Sequence, residues 1–226
     1  MPVYLLPDEP LFPDPEMAQQ DGLIAVGGDL STTRLVTAYS LGIFPWYDKG
    51  LPILWWCPDP RLILEPSNLH VTRRLARTVR QGVFEISLDR DFDSVITKCA
   101  QIPRTLGPGT WITDEMIGAY IGLHKLGIAH SVESYLNGEL VGGLYGIAIG
   151  KAFFGESMFH HERDASKVAF ASLVGRLVEK QYHLIDAQQK TRHMKSLGAS
   201  LMSREKFIEL LQKAITFETE SGPWNT

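Results

Sequence analysis

Between residues 129 and 187 the chain carries a run of predicted elements that few folds accommodate. Three strands are expected in succession, about 129–136, 139–149 and 151–159. The first two are joined by Asn137-Gly138, a dipeptide that supplies the positive-φ positions of a tight hairpin turn. A long amphipathic helix (about 165–181) then crosses back to a strand at 183–187. Strand–strand–strand–helix–strand requires an α+β fold built on a mixed, mostly antiparallel sheet.

The remaining chain fits around this unit. From residue 61 the pattern reads strand (Arg61–Leu64), helix (about 72–81), strand (Val83–Leu88) and helix (about 91–100). A loop with Pro103 and Gly107-Pro108-Gly109 leads to Trp111, and Thr113 or Asp114 starts a helix that Gly127 ends. A last helix, 204–213, is capped by Ser203. Before residue 61 the chain differs: five prolines punctuate the first twenty residues, and Leu23–Val26 ends at Gly27-Gly28-Asp29. Ser31 caps a helix whose apolar face is Leu35, Ala38, Tyr39 and Leu41. The aromatic and proline-rich stretches 43–47 and 54–61 are too rich in proline for regular structure and too aromatic for a solvated linker. They read as a packed wall, so the chain divides into a small N-terminal α/β domain (1–60) and a larger domain (61–226).

Within the strands, two polar positions stand out. Phe153-Phe154-Gly155-Glu156-Ser157-Met158-Phe159 sets a carboxylate into an apolar strand, and alternation places Glu156 on one face with Phe154 and Met158. Leu184-Ile185-Asp186-Ala187-Gln188 similarly puts Asp186 and Gln188 side by side. A carboxylate among aromatics loses hydration and must find a partner or shift its pKa. Adjacent strands of this kind form an apolar pocket with a few convergent polar groups.

Charge and composition narrow the classes. The formal charge of −4 leaves any nucleic-acid binding to a local patch. The helix Thr72–Arg80 carries such a patch, with Arg73, Arg77 and Arg80 at helical spacing and Arg74 beside them; Lys190, Arg192 and Lys195 form a second. Cys57 and Cys99 lie far apart, as reduced cytosolic thiols do. His130, His160, His161 and His193 have no ligand-set spacing, so no metal is expected, and no phosphate-loop spacing is present. With no signal peptide and no apolar run near the ~20 residues a membrane helix needs, a cytoplasmic location off the membrane is expected.

The strand and helix order resembles the acyltransferase fold of acetyl-CoA-dependent N-acetyltransferases (GNAT-like). Those enzymes cradle pyrophosphate in a glycine-rich loop. The corresponding segment here, 160–166, has no glycine and two acids, which would repel that anion. Coenzyme A is therefore not the expected donor.

More specifically, eight segments in register resemble the leucyl/phenylalanyl-tRNA–protein transferase family. They are Gly27–Ser31, Gly42–Trp46, Trp55–Arg61, Gly109–Thr113, Ala129–Glu133, Gly155–Phe159, Asp186–Gln188 and Ser196–Ala199. The resemblance implies transfer of leucine or phenylalanine, less often methionine, from leucyl-, phenylalanyl- or methionyl-tRNA. The acceptor would be the amino terminus of a protein beginning with arginine or lysine, and the product would carry a degradation signal. An aminoacyl ester is already activated, so the reaction needs no cofactor.

Residue by residue, the resemblance assigns Trp46 and Trp111 to the terminal adenosine of the tRNA, while Trp55 and Trp56 read as core. Gln188 would hydrogen-bond the attacking amine, Asp186 would orient and polarise Gln188, Asp186 or a tRNA hydroxyl would relay the proton, and Glu156 would hold an ammonium. The aminoacyl side chain would lie among Leu144, Phe153, Met158, Phe170, Leu173, Leu177 and Ile185, and Arg73, Arg74, Arg77 and Arg80 would meet the tRNA backbone. The sequence leaves open whether Glu156 or Asp186 reads the acceptor's cationic side chain. A cell-wall aminoacyl transferase would carry a tandem of such domains. A non-catalytic RNA- or peptide-binding module would not need Glu156, Asp186 and Gln188 together.

Overall fold

The computed structural model describes residues 3–102 and 111–224; the expected loop at Pro103 and Gly107–Gly109 lies outside them. Its elements in order are β1 (Tyr4–Leu5), β2 (Leu23–Val26), α1 (Thr32–Ser40), β3 (Phe44–Pro45), β4 (Leu54–Trp56), β5 (Arg61–Leu64), α2 (Arg73–Arg80), β6 (Glu85–Leu88) and α3 (Phe92–Ala100). After the gap follow α4 (Asp114–Lys125), β7 (Ala129–Leu136), β8 (Glu139–Ile149), β9 (Ala152–His160), α5 (Ala165–Glu179), β10 (Leu184–Asp186), α6 (Arg192–Ser196), β11 (Ser200–Met202) and α7 (Arg204–Ile215).

These strands form two sheets, ordered β1-β2-β4-β3 and β11-β5-β10-β9-β8-β7-β6. In the larger sheet β6 to β9 pair antiparallel, and α5 carries the chain to β10, which pairs parallel with β9. The expected α+β fold on a mixed, mostly antiparallel sheet is thus present. Asn137 and Gly138 both take positive φ at the β7–β8 turn, and side-chain caps open the helices: Thr113 on Met116 N–H, Ser203 on Lys206 N–H.

One aspect of the N-terminal part corrects the sequence reading. The stretches considered too rich in proline for regular structure do enter a sheet: Phe44 and Pro45 pair with Trp56 and Trp55. Pro45 sits on the edge strand β3, where a missing amide hydrogen costs no ladder bond. The aromatic wall packs against the larger sheet. Trp55, Ile24 and Tyr39 belong to the same buried cluster as Phe154, Ile147 and Phe207, which covers one face of the large sheet. The other face packs under α5, where Leu64, Phe153 and Ile185 meet Phe170, Leu173 and Leu177.

The site arises where β10 is too short. Its pairing with β9 stops at Asp186 opposite Phe154, while β9 continues to His160. Beyond that point the chain turns away, with Gln188 in the left-handed region at φ +51°. The next part of β9 is thereby left without its β10 neighbour, and a cleft opens beside Gly155 and Glu156.

Candidate active site

A β-bulge places the central carboxylate. Gly146 pairs with Gly155 and Tyr145 with Ser157, so Glu156 is the extra residue of β9. This overturns the simple alternation expected for the strand: Phe154 packs on the Tyr39 face, whereas Met158 joins the Phe153 face under α5. Glycine is required opposite the bulge, because a Cβ on Gly146 would lie 2.2 Å from the Phe154 carbonyl oxygen. The bulge lets Glu156 reach both sides.

Glu156 is held by two tyrosines. Tyr39 of α1 donates to its Oε1 at 2.8 Å and Tyr120 of α4 to its Oε2 at 3.2 Å. The two hydroxyls also touch at 2.5 Å. Gln188 Nε2 donates to the same Oε1 at 3.4 Å. Burial pushes the Glu156 carboxyl up to about 7, although the tyrosine hydrogen bonds pull the other way. The tyrosines themselves are held well above their ordinary range, chiefly by burial and then by the neighbouring carboxylate, and stay protonated donors. The sequence reading assigned Tyr39 to an apolar face and passed over Tyr120. Both rings are indeed core, and only the hydroxyls reach the site.

Asp186 reaches Gln188 through the backbone rather than through its carboxamide. It is fully buried, and Arg61 grips it with two parallel bonds, Nε to Oδ1 at 2.9 Å and Nη2 to Oδ2 at 2.6 Å. Oδ1 also accepts the Gln188 backbone N–H at 2.8 Å. Asp186 therefore fixes the turn that carries Gln188 and does not touch its carboxamide, and both its oxygens are committed. Gln188 and Asp186 are not two positions of one strand, because β10 ends between them.

Arg61 is the residue sequence reasoning missed. Its guanidinium lies 4.8 Å from the Phe44 ring and 4.5 Å from the Phe207 ring, a sandwich spanning both sheets and α7. Burial opposes its charge, but Asp186 outweighs burial and raises its pKa. An arginine opening an apolar strand, Arg61-Leu62-Ile63-Leu64, in a chain with an equally isolated aspartate was the available signal.

Two cavities meet at Glu156 and Gln188. One, of about 240 Å³, is lined by Leu144, Phe153, Met158, Phe170, Leu173 and Ile185, with Met194 closing it. Of the expected pocket residues, Leu177 alone is not in this wall; it is packed in the core beneath α5. The volume falls below the ~300 Å³ at which drug-sized pockets begin, as suits one amino-acid side chain. The second cavity, of about 230 Å³, is lined by Phe44, Pro45, Trp46, Trp111 and Gln189. Trp46 is 37% exposed and braced by Trp56, whose Nε1 donates to the Trp46 carbonyl at 2.7 Å. Trp55 is wholly buried, bonded through Nε1 to the Gly27 carbonyl.

The remaining expectations fall outside these walls. Arg73, Arg74, Arg77 and Arg80 are exposed on α2. His130 is structural, donating from Nδ1 to the Asp89 carboxylate (2.8 Å) and stacked 3.9 Å from Trp224. Among the described residues no group of His, Cys, Asp and Glu could hold a metal ion, and no helix is long and apolar enough to cross a membrane.

This geometry accompanies an extensive likeness to known proteins. The family model described as leucyl/phenylalanyl-tRNA protein transferase matches residues 63–212, and the model of its N-terminal domain matches residues 28–59. A leucyl/phenylalanyl-tRNA–protein transferase of Solidesulfovibrio magneticus is 54% identical over 224 residues, covering 99% of this chain and 91% of that protein. One of Syntrophotalea carbinolica is 55% identical over 214 residues, covering 95% and 93%. Among solved structures, a GCN5-related N-acetyltransferase from Kribbella flavida aligns at a TM-score of 0.38 and 13% identity, over 73% of this chain and 58% of that one. By its sequence over nearly its whole length, this chain is an aminoacyltransferase and belongs to the leucyl/phenylalanyl-tRNA–protein transferase family.

Proposed function

We propose that the protein transfers leucine or phenylalanine, and less often methionine, from its tRNA to the α-amino group of cytoplasmic proteins beginning with arginine or lysine, marking them for degradation. The observation that carries the reading is the junction of the two cavities at Glu156 and Gln188. An aminoacyl-adenosine has an apolar and an aromatic end joined at one reactive carbonyl, and this pair of cavities has the same layout. The benzyl or isobutyl group would lie between Phe153, Met158 and Leu173, with Met158 and Met194 giving the compliance to accept both shapes. The adenine would stack against Trp46 and Trp111, worth ~1–3 kcal/mol whatever the base. The exposed arginines of α2 would meet phosphates further along the RNA.

The attacking group is an α-amine with a free pKa of ~7.7–8, mostly protonated at neutral pH. Glu156, at about 7, is matched to take that proton. The sequence left the relay to Asp186 or a tRNA hydroxyl; Arg61 occupies both Asp186 oxygens, which disfavours Asp186 and favours Glu156 for the role. The amine, oriented by the Gln188 carboxamide, attacks the ester carbonyl and forms the C–N bond. The C–O bond to the ribose breaks, and the proton Glu156 took from the ammonium passes to the leaving ribose oxygen. The second proton, lost by the nitrogen as the amide forms, is taken by the freed Glu156 carboxylate and released to solvent. Much of the acceleration would come from alignment, since the ester is already activated. The test is Gln188→Ala: a fall in kcat with little change in tRNA affinity is expected, and near-normal turnover would dismiss its positioning role.

A further inference from the structure

A third cavity lies behind the aminoacyl wall, where β9 runs into α5. It is lined by Arg74, His160, His161, Arg163, Asp164, Lys167 and His193, and His193 also lines the aminoacyl cavity. The sequence reading treated this loop as hostile to anions because of its acids. The structure alters that balance. Asp164 sits in the left-handed region at φ +67°, and its carboxylate caps no helix amide. It instead accepts from Arg74 Nη2 at 2.7 Å and lies 3.9 Å from Lys167 Nζ, so the one acid of the cavity is neutralised from two sides. Arg163 has no partner among the described residues, and His193 Nε2 is buried without one. Burial, with Lys167 and His160 nearby, lowers the His193 pKa, which keeps this ring a neutral donor or acceptor at pH 7.

A concave group of cations and imidazoles around a satisfied carboxylate is the donor set of a tetrahedral oxyanion. We propose that this cavity binds a phosphodiester of the donor RNA, as the link between the α2 arginines and the reaction centre. Arg163 and Lys167 supply charge, and His160, His161 and His193 supply directed N–H groups. The inference rests on the aminoacyl-tRNA reading above and adds to it a phosphate site built from α2, the β9–α5 loop and α6.

The test is a salt series of phenylalanyl-tRNA binding by the wild type, Arg163→Gln and Lys167→Gln, each checked for an unchanged melting curve. A lost phosphate contact should weaken binding several-fold and make the plot of log affinity against log salt shallower by about one. Affinity and slope equal to the wild type in both variants would overturn the proposal. So would a change confined to the KM of an acidic acceptor peptide, which would make the cavity a protein subsite. A second arm titrates inorganic phosphate and follows the imidazole NMR signals of His160, His161 and His193. Movement of these signals with unaltered RNA slopes would mean a free-anion site only, against the proposal. If the wild type failed to bind or use charged tRNA, the aminoacyl-transfer reading would fall. Silent imidazoles would then remove the phosphate site as well.

Discussion

Replacing Glu156 by glutamine separates the cost of a buried charge from the shape that holds it. The carboxamide is isosteric: its oxygen can accept from one tyrosine and its NH2 can donate to the hydroxyl oxygen of the other, so packing between α1, α4 and β9 is kept. What disappears is ionisation. Burial raises the carboxyl from the ordinary 4.5 to about 7. That difference corresponds to ~3 kcal/mol at most, reduced by whatever water the open cavity admits. Between those pH values the folded protein keeps a proton that the unfolded chain has lost. Wild-type stability therefore falls as pH rises through that window and stays lowered above about 7, with the other titrating groups common to both proteins. Urea unfolding at pH 5 and pH 8 reads the effect directly. The wild type should lose up to about 2 kcal/mol relative to Glu156→Gln between the two pH values. In parallel, wild-type transfer should rise with pH from about 7, and the variant should be slow and keep only the later rise that follows the amine's own pKa of ~7.7–8. Stability curves of the two proteins that run parallel would refute the perturbed carboxyl, and with it the proton-acceptor role.

Other substitutions test the frame around that residue. Arg61→Met should destabilise the protein by ~3–5 kcal/mol in urea unfolding, because Asp186 would keep a buried charge without a partner; Arg61→Lys should recover only part of this, lacking the two-pronged contact. Trp111→Ala should weaken phenylalanyl-tRNA binding by ~1–3 kcal/mol with little loss of fold. Trp55→Ala should instead cost ~3–5 kcal/mol of stability, since that ring is wholly buried. Leu173→Phe, which fills part of the apolar cavity, should lower the ratio of phenylalanine to leucine transfer measured as kcat/KM.

Much of this was legible in the sequence because local chemistry dictated it. The Asn137-Gly138 turn, the caps at Ser31, Thr113 and Ser203, and the apolar face of α5 are all decided within a few residues. Glu156 and Gln188 were found because polar groups in apolar strands demand a partner. Leu177 was misplaced because periodicity locates the apolar face of a helix but not which of its residues meets a void. The bulge at Glu156 reverses the expected alternation through the pairing of Gly155 with Gly146, nine residues earlier across the hairpin. Arg61 and Asp186 are 125 positions apart. Tyr39 lies 117 residues from Glu156, and nothing near it in sequence announces a hydrogen bond. These contacts depend on which strands become neighbours, and no local pattern encodes that.

The charge on the β9–α5 loop shows the same limit from another side. Counting acids in 160–166 suggested repulsion of anions, yet Arg74, ninety positions away, neutralises Asp164. The two short strands β3 and β4 likewise looked unsuited to a sheet until β2 supplied a partner. Proline content spoke to each stretch alone, and pairing overrode it.

The account's central claim is tested most directly by transfer of labelled phenylalanine from phenylalanyl-tRNA to a peptide beginning with arginine, with ATP, coenzyme A and added metal withheld. A peptide beginning with alanine runs beside it. Labelling of the arginine peptide alone is the predicted result. Absence of labelling from folded protein that still binds the charged tRNA, or equal labelling of both peptides, would contradict it.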